Sequence, residues 1–545
     1  MTRLGRASHL AVALVGVVGA ISACGVGQTG AFEAEEALNT DAGGSADDGD
    51  PLSDATPARG ISIVEVEINQ GTRIPIGFGG EWVDGPERTG FLIASRDSLM
   101  RIHYAVDEGW APREIEARLT LEFPDGSTKS FTDTRFVEHD SNRKNLTAGP
   151  FFFGLIADDG QTIAGTRYHV ELWETVGGLG EGFEEGDWAN PAAGSELIGF
   201  ESVPMQIKTL LVPITYGGVT AGVDDATLET VVNNLYEQNP ATEILWDVHP
   251  PVDYPGQLNS LGSLLPVMAE LRSDEGADPN VYYHALVDVG SQSLGGTLGI
   301  SYLANDSKTD GGSRVSATVL FAPDPTIAAD TYTHETGHAQ GLNHVECPNA
   351  DSANPDPSYP YANGRIGNWG FGIRRFLMYD PDDAFDYMSY CSPSWVSDWT
   401  WNKTYQRIKT LTSWDFEGAS GEPGAVEQLL VGAIYPDGTR EWWTMPGAVD
   451  PRRVSGLDRF EFEVDGELVG AYGDVSVLSD GQTQWVKVAL PAAIDELDSI
   501  THFRAGDSEA QGEGGRAIEP ASLARRGAAS ARASAWRPSF RIYRP

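Results

Sequence analysis

The sequence predicts an α+β multidomain protein, with a central domain on a mostly parallel sheet and a β-sandwich domain on either side of it. Apolar and polar residues alternate between Gly60 and Ile207 and again from Gly421 onward. Between those two regions, short apolar strands alternate with amphipathic helices. A period of two is typical of half-buried strands, and β-α-β alternation is typical of a parallel sheet. The length of 545 residues leaves room for about three such domains.

The first 23 residues have the layout of a secretory signal. Arg3 and Arg6 precede an apolar run from Leu10 to Ile21, which is too short to span a bilayer as a mature helix. The segment Ile21-Ser22-Ala23-Cys24 resembles the lipobox of bacterial lipoproteins, in which the cysteine is acylated and becomes the mature N-terminus. We therefore expect an exported protein, lipid-anchored at Cys24 on a bacterial membrane or cell surface. A secreted protein that is cleaved nearby is the alternative.

Residues 24–58 are rich in Ala, Gly and Asp and have almost no large apolar side chains, so we expect a disordered acidic tether there. The formal net charge of the chain is −42. Such a charge argues against nucleic-acid partners, which need basic patches. Contact with a membrane is expected only through the lipid at Cys24, and the oligomeric state stays open.

Residues 59–207 are predicted to form the N-terminal β-sandwich. Val64, Val66 and Ile68 alternate with acidic residues, and residues 115–123 alternate throughout before a Pro-Asp-Gly turn. Repeated short strands with such turns favour two antiparallel sheets, Ig-like in outline. We find no catalytic constellation in this region.

Residues 208–415 are predicted to form the catalytic domain. Its apolar runs predict strands over 210–214, 244–248, 281–289 and 315–321, and its amphipathic stretches predict helices over 224–238, 258–272, 326–342 and 395–411.

A metal-binding motif lies at the end of the third of these helices. His334 and His338 are four residues apart, so their imidazoles share one helix face. Two imidazoles in that position can bind one zinc ion, and Glu335 beside them can activate a water molecule. Gly341 permits a turn that returns His344 as a third nitrogen ligand. Three protein ligands leave one position open, as catalytic zinc sites do.

Chance is a poor explanation of this motif. The chain has 10 His in 545 residues, so this pattern arises by chance in roughly one in 10⁴ to 10⁵ such chains. An amphipathic helix with solvated histidines is the plain alternative.

The pattern H-E-x-x-H-x-x-G-x-x-H resembles the zinc signature of the metzincin metallopeptidases. This resemblance implies a Met-turn below the metal, for which Met388 is the candidate, and a zinc-facing tyrosine that steadies the transition state, for which Tyr390 is the candidate. It also implies that the strand over 315–321 is an antiparallel edge able to pair with substrate. The metzincin branches that have such a tyrosine usually carry a serine two residues before the methionine. This chain has Asp386 there, which leaves its branch within the family open.

Two cysteines remain once Cys24 is assigned to lipid: Cys347 after the zinc helix and Cys391 after the Met-turn. In an oxidising compartment we expect them to form a disulfide. Zinc ligation by the thiols is the competing interpretation, although three histidines already satisfy the metal.

The C-terminal part carries no catalytic motif. Residues 421–510 are predicted to form a second β-sandwich that serves as an accessory or binding module, and residues 511–545 an Arg-rich flexible tail with a candidate last strand at 540–543. The aspartates of 380–383 can bind calcium in principle, but they lack EF-hand spacing.

These observations predict a zinc metalloendopeptidase that acts on a protein or glycoprotein substrate, with Glu335 as the general base. Two alternatives stay open: a zinc hydrolase of non-peptide bonds, and a binding or adhesion lipoprotein with a structural or vestigial zinc site. Glu335 argues against the second, because a structural site has no use for it.

Overall fold

The structure is a computed structural model. It describes residues 56–544, apart from 147–148, 178–179, 203, 293, 295, 321–324, 349, 351, 353, 417–426, 450, 452, 479–482, 505–514 and 524–537. The predicted signal peptide, Cys24 and nearly all of the predicted tether therefore lie outside the described residues. Among the helices that are described, none has the length and apolar character needed to cross a membrane.

Two antiparallel sheets and a short strand pair make up the N-terminal region. The strands are β1 (Ile61–Asn69), β2 (Arg73–Phe78), β3 (Glu81–Trp82), β4 (Leu92–Ile93), β5 (Ser98–Val106), β6 (Arg113–Glu122), β7 (Thr128–Val137), β8 (Phe151–Leu155), β9 (Arg167–Glu174), β10 (Ala189–Asn190), β11 (Glu196–Leu197) and β12 (Phe200–Glu201). One sheet has the order β3-β2-β1-β5-β8 and the other β10-β9-β6-β7, with β11 beside β9; β4 pairs with β12. Alternate residues of β6 are buried, and both sheets contribute to one apolar cluster.

The central region is a sheet with four helices. Its strands are β13 (Gln206–Tyr216), β14 (Val219–Thr220), β15 (Glu243–Val248), β16 (Val252–Tyr254), β17 (Val281–Val287), β18 (Gly299–Ser301) and β19 (Val315–Val319). Its helices are α1 (Asp225–Gln238), α2 (Leu264–Asp274), α3 (Thr326–Ala339) and α4 (Asp398–Ser413). The order is β18-β19-β17-β13-β15, and the last four strands run parallel. One face of the sheet packs against α1, α3 and α4, and the other packs against α2.

The expected role of β19 is wrong. The strand is parallel to β17 and lies inside the sheet. The antiparallel edge is β18, which follows a glycine-rich loop and pairs with β19 through Ile300 and Ala317. Strand β18 has only three residues, which is too short for a periodic pattern in the sequence. The sequence therefore predicts β19 as the edge strand.

The segment between α3 and α4 contains two short strand pairs, β20 (Gly370–Gly372) with β21 (Leu377–Tyr379) and β22 (Phe385–Asp386) with β23 (Ser394–Trp395). Short 3₁₀ helices occur here and elsewhere, at Gly85–Glu87, Leu261–Ser263, Lys308–Ser313, Ala362–Gly364 and Ile494–Glu496.

The C-terminal region forms one seven-stranded antiparallel sheet, where two stacked sheets were predicted. Its strands are β24 (Glu427–Ile434), β25 (Arg440–Gly447), β26 (Val454–Val464), β27 (Glu467–Val477), β28 (Gln484–Ala489), β29 (Leu497–Arg504) and β30 (Arg516–Ile518), in the order β25-β24-β28-β27-β26-β29-β30. Leu429, Val431 and Trp443 pack into the same apolar cluster as α2. The alternation of apolar and polar residues predicts that one face of the strands is buried, but it does not show what packs against that face. Here the central domain packs against it.

The predicted flexible tail is also partly ordered. Arg516–Ile518 is strand β30, and β31 (Arg541–Tyr543) pairs antiparallel with β15 at the far edge of the central sheet. Arg544 forms an ion pair of 2.7 Å with Glu243 beside this pairing.

The N-terminal region is fixed to the central domain by polar contacts as well as by packing. The fully buried Arg96 donates hydrogen bonds to the carbonyl oxygens of Tyr236 (2.9 Å) and Ala241 (2.7 Å) after α1. The indole of Trp395 donates to the carbonyl of Gly71 (2.8 Å). These contacts hold the C-terminal end of α1 and the segment that leads into α4.

Candidate metal centre and catalytic cleft

Helix α3 places two histidines side by side in the interior. His334 and His338 are buried, and their Nε2 atoms lie 3.1 Å apart. Gly341 follows the helix with φ of +88°, a conformation that L side chains rarely adopt. The chain turns there and brings His344 back, so that its Nε2 lies 3.1 Å from that of His338. The structure thus brings together the three residues that the sequence predicts as ligands.

The outer ring nitrogens of this cluster have backbone partners. His334 Nδ1 lies 2.7 Å from the carbonyl oxygen of Tyr387, and His338 Nδ1 lies 2.7 Å from that of Leu342. A carbonyl can only accept, so Nδ1 carries the proton and Nε2 presents its lone pair to the centre of the cluster. Burial, with the charge of His344, lowers the pKa of His334 to about 3. Both features give the neutral imidazoles that a metal requires.

The cluster fits zinc. Its three donor atoms all lie within 4.8 Å of one another. Nitrogen ligands at about 2.0 to 2.1 Å from a tetrahedral zinc stand roughly 3.3 Å apart, close to the separation of neighbouring nitrogens here. Three imidazole donors without a thiolate are a set that suits zinc.

Glu335 lies against the edge strand β18. A Cβ added to Gly299 would stand 2.5 Å from Glu335 Oε1 and 2.6 Å from its Cγ, which is closer than atoms can approach. Glycine at position 299 therefore makes room for this carboxylate. Sequence reasoning missed this residue, although a glycine within a strand does signal a close approach of another group.

Met388 lies directly beneath the zinc helix. A Cβ at Gly337, within α3, would stand 2.4 Å from Met388 Sδ, so the methionine occupies the space that this glycine leaves. The turn is also joined to the His344 segment, because the amide of Val345 donates to the carbonyl of Met388 at 2.9 Å. Both contacts place Met388 against the helix and the segment that carry the three histidines.

Asp386 anchors the same turn, a role that sequence analysis did not assign. Its fully buried carboxylate accepts hydrogen bonds from the amide of Met388 (2.9 Å) and the hydroxyls of Ser397 (2.5 Å) and Thr400 (2.6 Å). Ser397 is the N-cap of α4, where a carboxylate is favoured by the helix dipole. Burial raises the pKa of Asp386, and these hydrogen bonds oppose that rise.

Tyr390 lies at the mouth of the cluster. Its hydroxyl is 2.8 Å from Nε2 of His344, and its ring stacks on His334 with centroids 5.6 Å apart. The residue is 47% exposed and lines the open cleft, with its hydroxyl beside the histidine nitrogens. Cys347 and Cys391 are joined by a disulfide, the pairing that the sequence predicts, which leaves neither thiol as a ligand.

These residues open onto one large cleft of about 1200 Å³. His334, Glu335 and Tyr390 line it together with Leu298 and Gly299 of the β18 segment. The remaining lining includes residues of the C-terminal sheet, notably Tyr435, Asp437 and Glu441. Among the described residues, the three histidines are the one group of His, Cys, Asp or Glu arranged to hold a metal. Asp380, in the segment considered for calcium, instead pairs with Lys144 at 2.7 Å.

Comparison with known proteins agrees with this geometry. Residues 306–388, which contain the zinc helix and Met388, match the family model of peptidase M66. No curated protein matches the chain. The match indicates a metallopeptidase, and the three-histidine site suggests zinc as its metal.

Proposed function

We propose that this protein is a zinc-dependent endopeptidase of the metzincin type, with Glu335 as the general base. The observation that carries the proposal is the convergence of three histidine Nε2 atoms beside a carboxylate in one open cleft. The similarity to peptidase M66 over the same segment supports the peptidase class. The extended histidine motif and the position of Met388 under α3 support the metzincin type.

His334, His338 and His344 would hold the metal. When bound, zinc polarises the scissile carbonyl and lowers the pKa of a water molecule. Glu335 takes a proton from the attacking water and delivers it to the nitrogen of the leaving amine. The hydroxyl of Tyr390 donates a hydrogen bond to the developing oxyanion, after turning away from His344.

The dimensions of the cleft favour a polymeric substrate. Sites for small molecules usually enclose about 300 to 1,000 Å³. The cleft here is larger, at about 1200 Å³, and its walls come from both the central domain and the C-terminal sheet. An extended stretch of protein or glycoprotein fits such a cleft better than a small non-peptide substrate does.

The test is proteolysis of an unfolded protein substrate, measured beside zinc content. Replacing Glu335 by Gln keeps the ligands, so zinc should stay bound while the rate falls by about 10² to 10⁴. Replacing His334 by Ala removes a ligand, so zinc content and activity should fall together. Chelation should abolish cleavage and added zinc should restore it. A Glu335→Gln protein that cleaves at the wild-type rate would rule out this mechanism, and a zinc-loaded wild type that cleaves nothing would favour a binding protein.

Export and anchoring are part of the same proposal. The lipobox-like segment before Cys24 and the predicted signal sequence support a protein that is lipid-anchored on a bacterial surface. Expressed in a bacterial host, the wild type should partition into detergent and incorporate labelled fatty acid, whereas Cys24→Ser should be soluble. Absence of label from the wild type would refute the anchor.

A further inference from the structure

A hairpin of the C-terminal sheet forms one wall of the catalytic cleft. The turn between β24 and β25 contributes Tyr435, Asp437 and Thr439 to the lining, and β25 contributes Glu441. His334 and Glu335 line the same cleft. We call residues 435–441 the wall hairpin.

The wall hairpin is held rigidly on the central domain. Trp485 of β28 stacks on Tyr302 of the central domain with ring centroids 3.9 Å apart. Lys487 lies 3.5 Å from Asp310 of the central domain and 3.7 Å from Asp474, and all three side chains are buried. The shared core and the buried charges fix the position of this sheet on the central domain.

Side chains of β25 alternate between two environments. Trp443 and Met445 enter the core shared with the central domain, so Glu441, two residues earlier, lies on that same face. Arg440 lies on the opposite face, where its guanidinium is 3.0 Å from His502 Nδ1, and Asp458 holds the other ring nitrogen at 2.7 Å. Arg440 also lines the cleft, but its guanidinium is bonded to His502 on that opposite face.

Tyr435 reaches from the wall hairpin to the segment of the central domain that precedes α2. Its hydroxyl lies 3.2 Å from Glu441 Oε2, to which it donates. The hydroxyl oxygen of Tyr435 is also 3.7 Å from the position that a Cβ of Gly262 would occupy, in the segment before α2. The tyrosine thus lies between the wall hairpin and the Gly262 segment, and it holds the carboxylate of Glu441 beside it.

We propose that the wall hairpin selects the substrate. Tyr435 limits the size of the substrate residues that pass the hairpin, and Glu441 excludes negatively charged ones. This inference rests on the proposed peptidase function. The substrate it implies is an extended polypeptide that carries neutral or basic side chains, and not acidic ones, where it passes the wall hairpin. Discrimination of this kind works through repulsion as much as through attraction.

Cleavage-site profiling of a random peptide library tests the proposal. The zinc-loaded wild type, Tyr435→Ala, Tyr435→Phe and Glu441→Gln are compared, with Asp465→Asn as the control. Asp465 lies in the β26–β27 turn of the same sheet, so this change alters a charge on the sheet but not in the wall hairpin. Thermal unfolding of each variant shows that the sheet is intact.

The proposal predicts position-specific changes. Glu441→Gln should raise tolerance of acidic residues roughly fivefold at positions on one side of the scissile bond, as expected for one close like-charge pair near the surface. Tyr435→Ala should admit larger residues at the same positions, by about tenfold, whereas Tyr435→Phe should keep the size limit. The control should match the wild type.

Two outcomes would contradict the proposal, and they can be told apart by whether the wild type cleaves the library. If the wild type cleaves the library and all variant profiles coincide with it, the wall hairpin does not select substrate, although the peptidase function stands. If the zinc-loaded wild type cleaves no peptide, the proposed function fails and this inference fails with it.

Discussion

Replacing Gly299 by Ala should displace the carboxylate of Glu335, the proposed general base, without touching the three histidines. The added Cβ would stand 2.5 Å from Glu335 Oε1 and 2.5 Å from Thr331 Cγ2. Ordinary contacts need about 3.5 Å, so the Glu335 side chain must move by about 1 Å. A misplacement of that size in an active site costs about 10² in rate. We therefore expect kcat to fall about a hundredfold.

The assay for Gly299→Ala combines peptide cleavage, zinc content and thermal unfolding. Zinc content should equal that of the wild type, because the three histidines are unaltered. Gly222→Ala is the matched control, since a Cβ there has nothing within 4 Å and the backbone is not in the left-handed region. Wild-type kcat in Gly299→Ala would refute the argument that this glycine makes room for Glu335.

Three further predictions concern stability. The double change Cys347→Ser and Cys391→Ser opens a loop of 44 residues and should lower the free energy of unfolding by about 4 kcal/mol, measured by denaturant titration. Asp386→Ala leaves buried donors without their acceptor and should cost about 3 kcal/mol, whereas Asp386→Asn keeps one acceptor oxygen and should cost less. The third prediction concerns acid: burial alone would raise the pKa of Glu67, but His103, Arg101 and Arg143 bring it below its ordinary value of 4.5. Ionised Glu67 therefore stabilises the fold fully above that value, and stability should fall as the pH drops below it.

Each of these predictions has an outcome that contradicts it. Equal stability of the oxidised wild type and the double serine variant would show that the bond adds nothing. An Asp386→Ala protein that melts at the wild-type temperature would remove the anchor role. The acid effect is tested by comparing the wild type with Glu67→Gln. The free energy of unfolding of Glu67→Gln should change less between pH 5 and pH 3 than that of the wild type. If the two proteins show the same change with pH, the acid sensitivity belongs to other groups.

The convergence of the three histidines depends on local rules, which explains why the sequence alone predicts it. Histidines four apart on a helix share a face whatever surrounds them, and Gly341 supplies a backbone conformation that other residues disfavour. The bounds of α1, α3 and α4 were likewise predicted to within three residues, whereas α2 begins at Leu264, six residues after its predicted start.

The parts that sequence analysis missed depend on contacts between distant segments. Nothing local to Gly299 shows that Glu335 will lie against it, and nothing local to Asp386 shows that Ser397 will bond to it. The alternation in β24 predicts a buried face correctly, but its partner is a helix more than a hundred residues earlier. The single C-terminal sheet and its place in the cleft could therefore not be predicted.

The pairing of β31 with β15 has a consequence for how the protein assembles. These strands are separated by about 300 residues, and the whole C-terminal sheet lies between them in sequence. Until β31 arrives, β15 presents an unpaired strand edge, which is a template for pairing with other chains. A partly synthesised chain carries that open edge from the completion of β15 until residue 541 has been added. The pairing, held by the ion pair of Arg544 with Glu243 and by the edge-to-face contact of Tyr543 with Tyr236, closes the edge last. Chains interrupted before residue 541 should therefore aggregate even though every residue of the metal centre is already present.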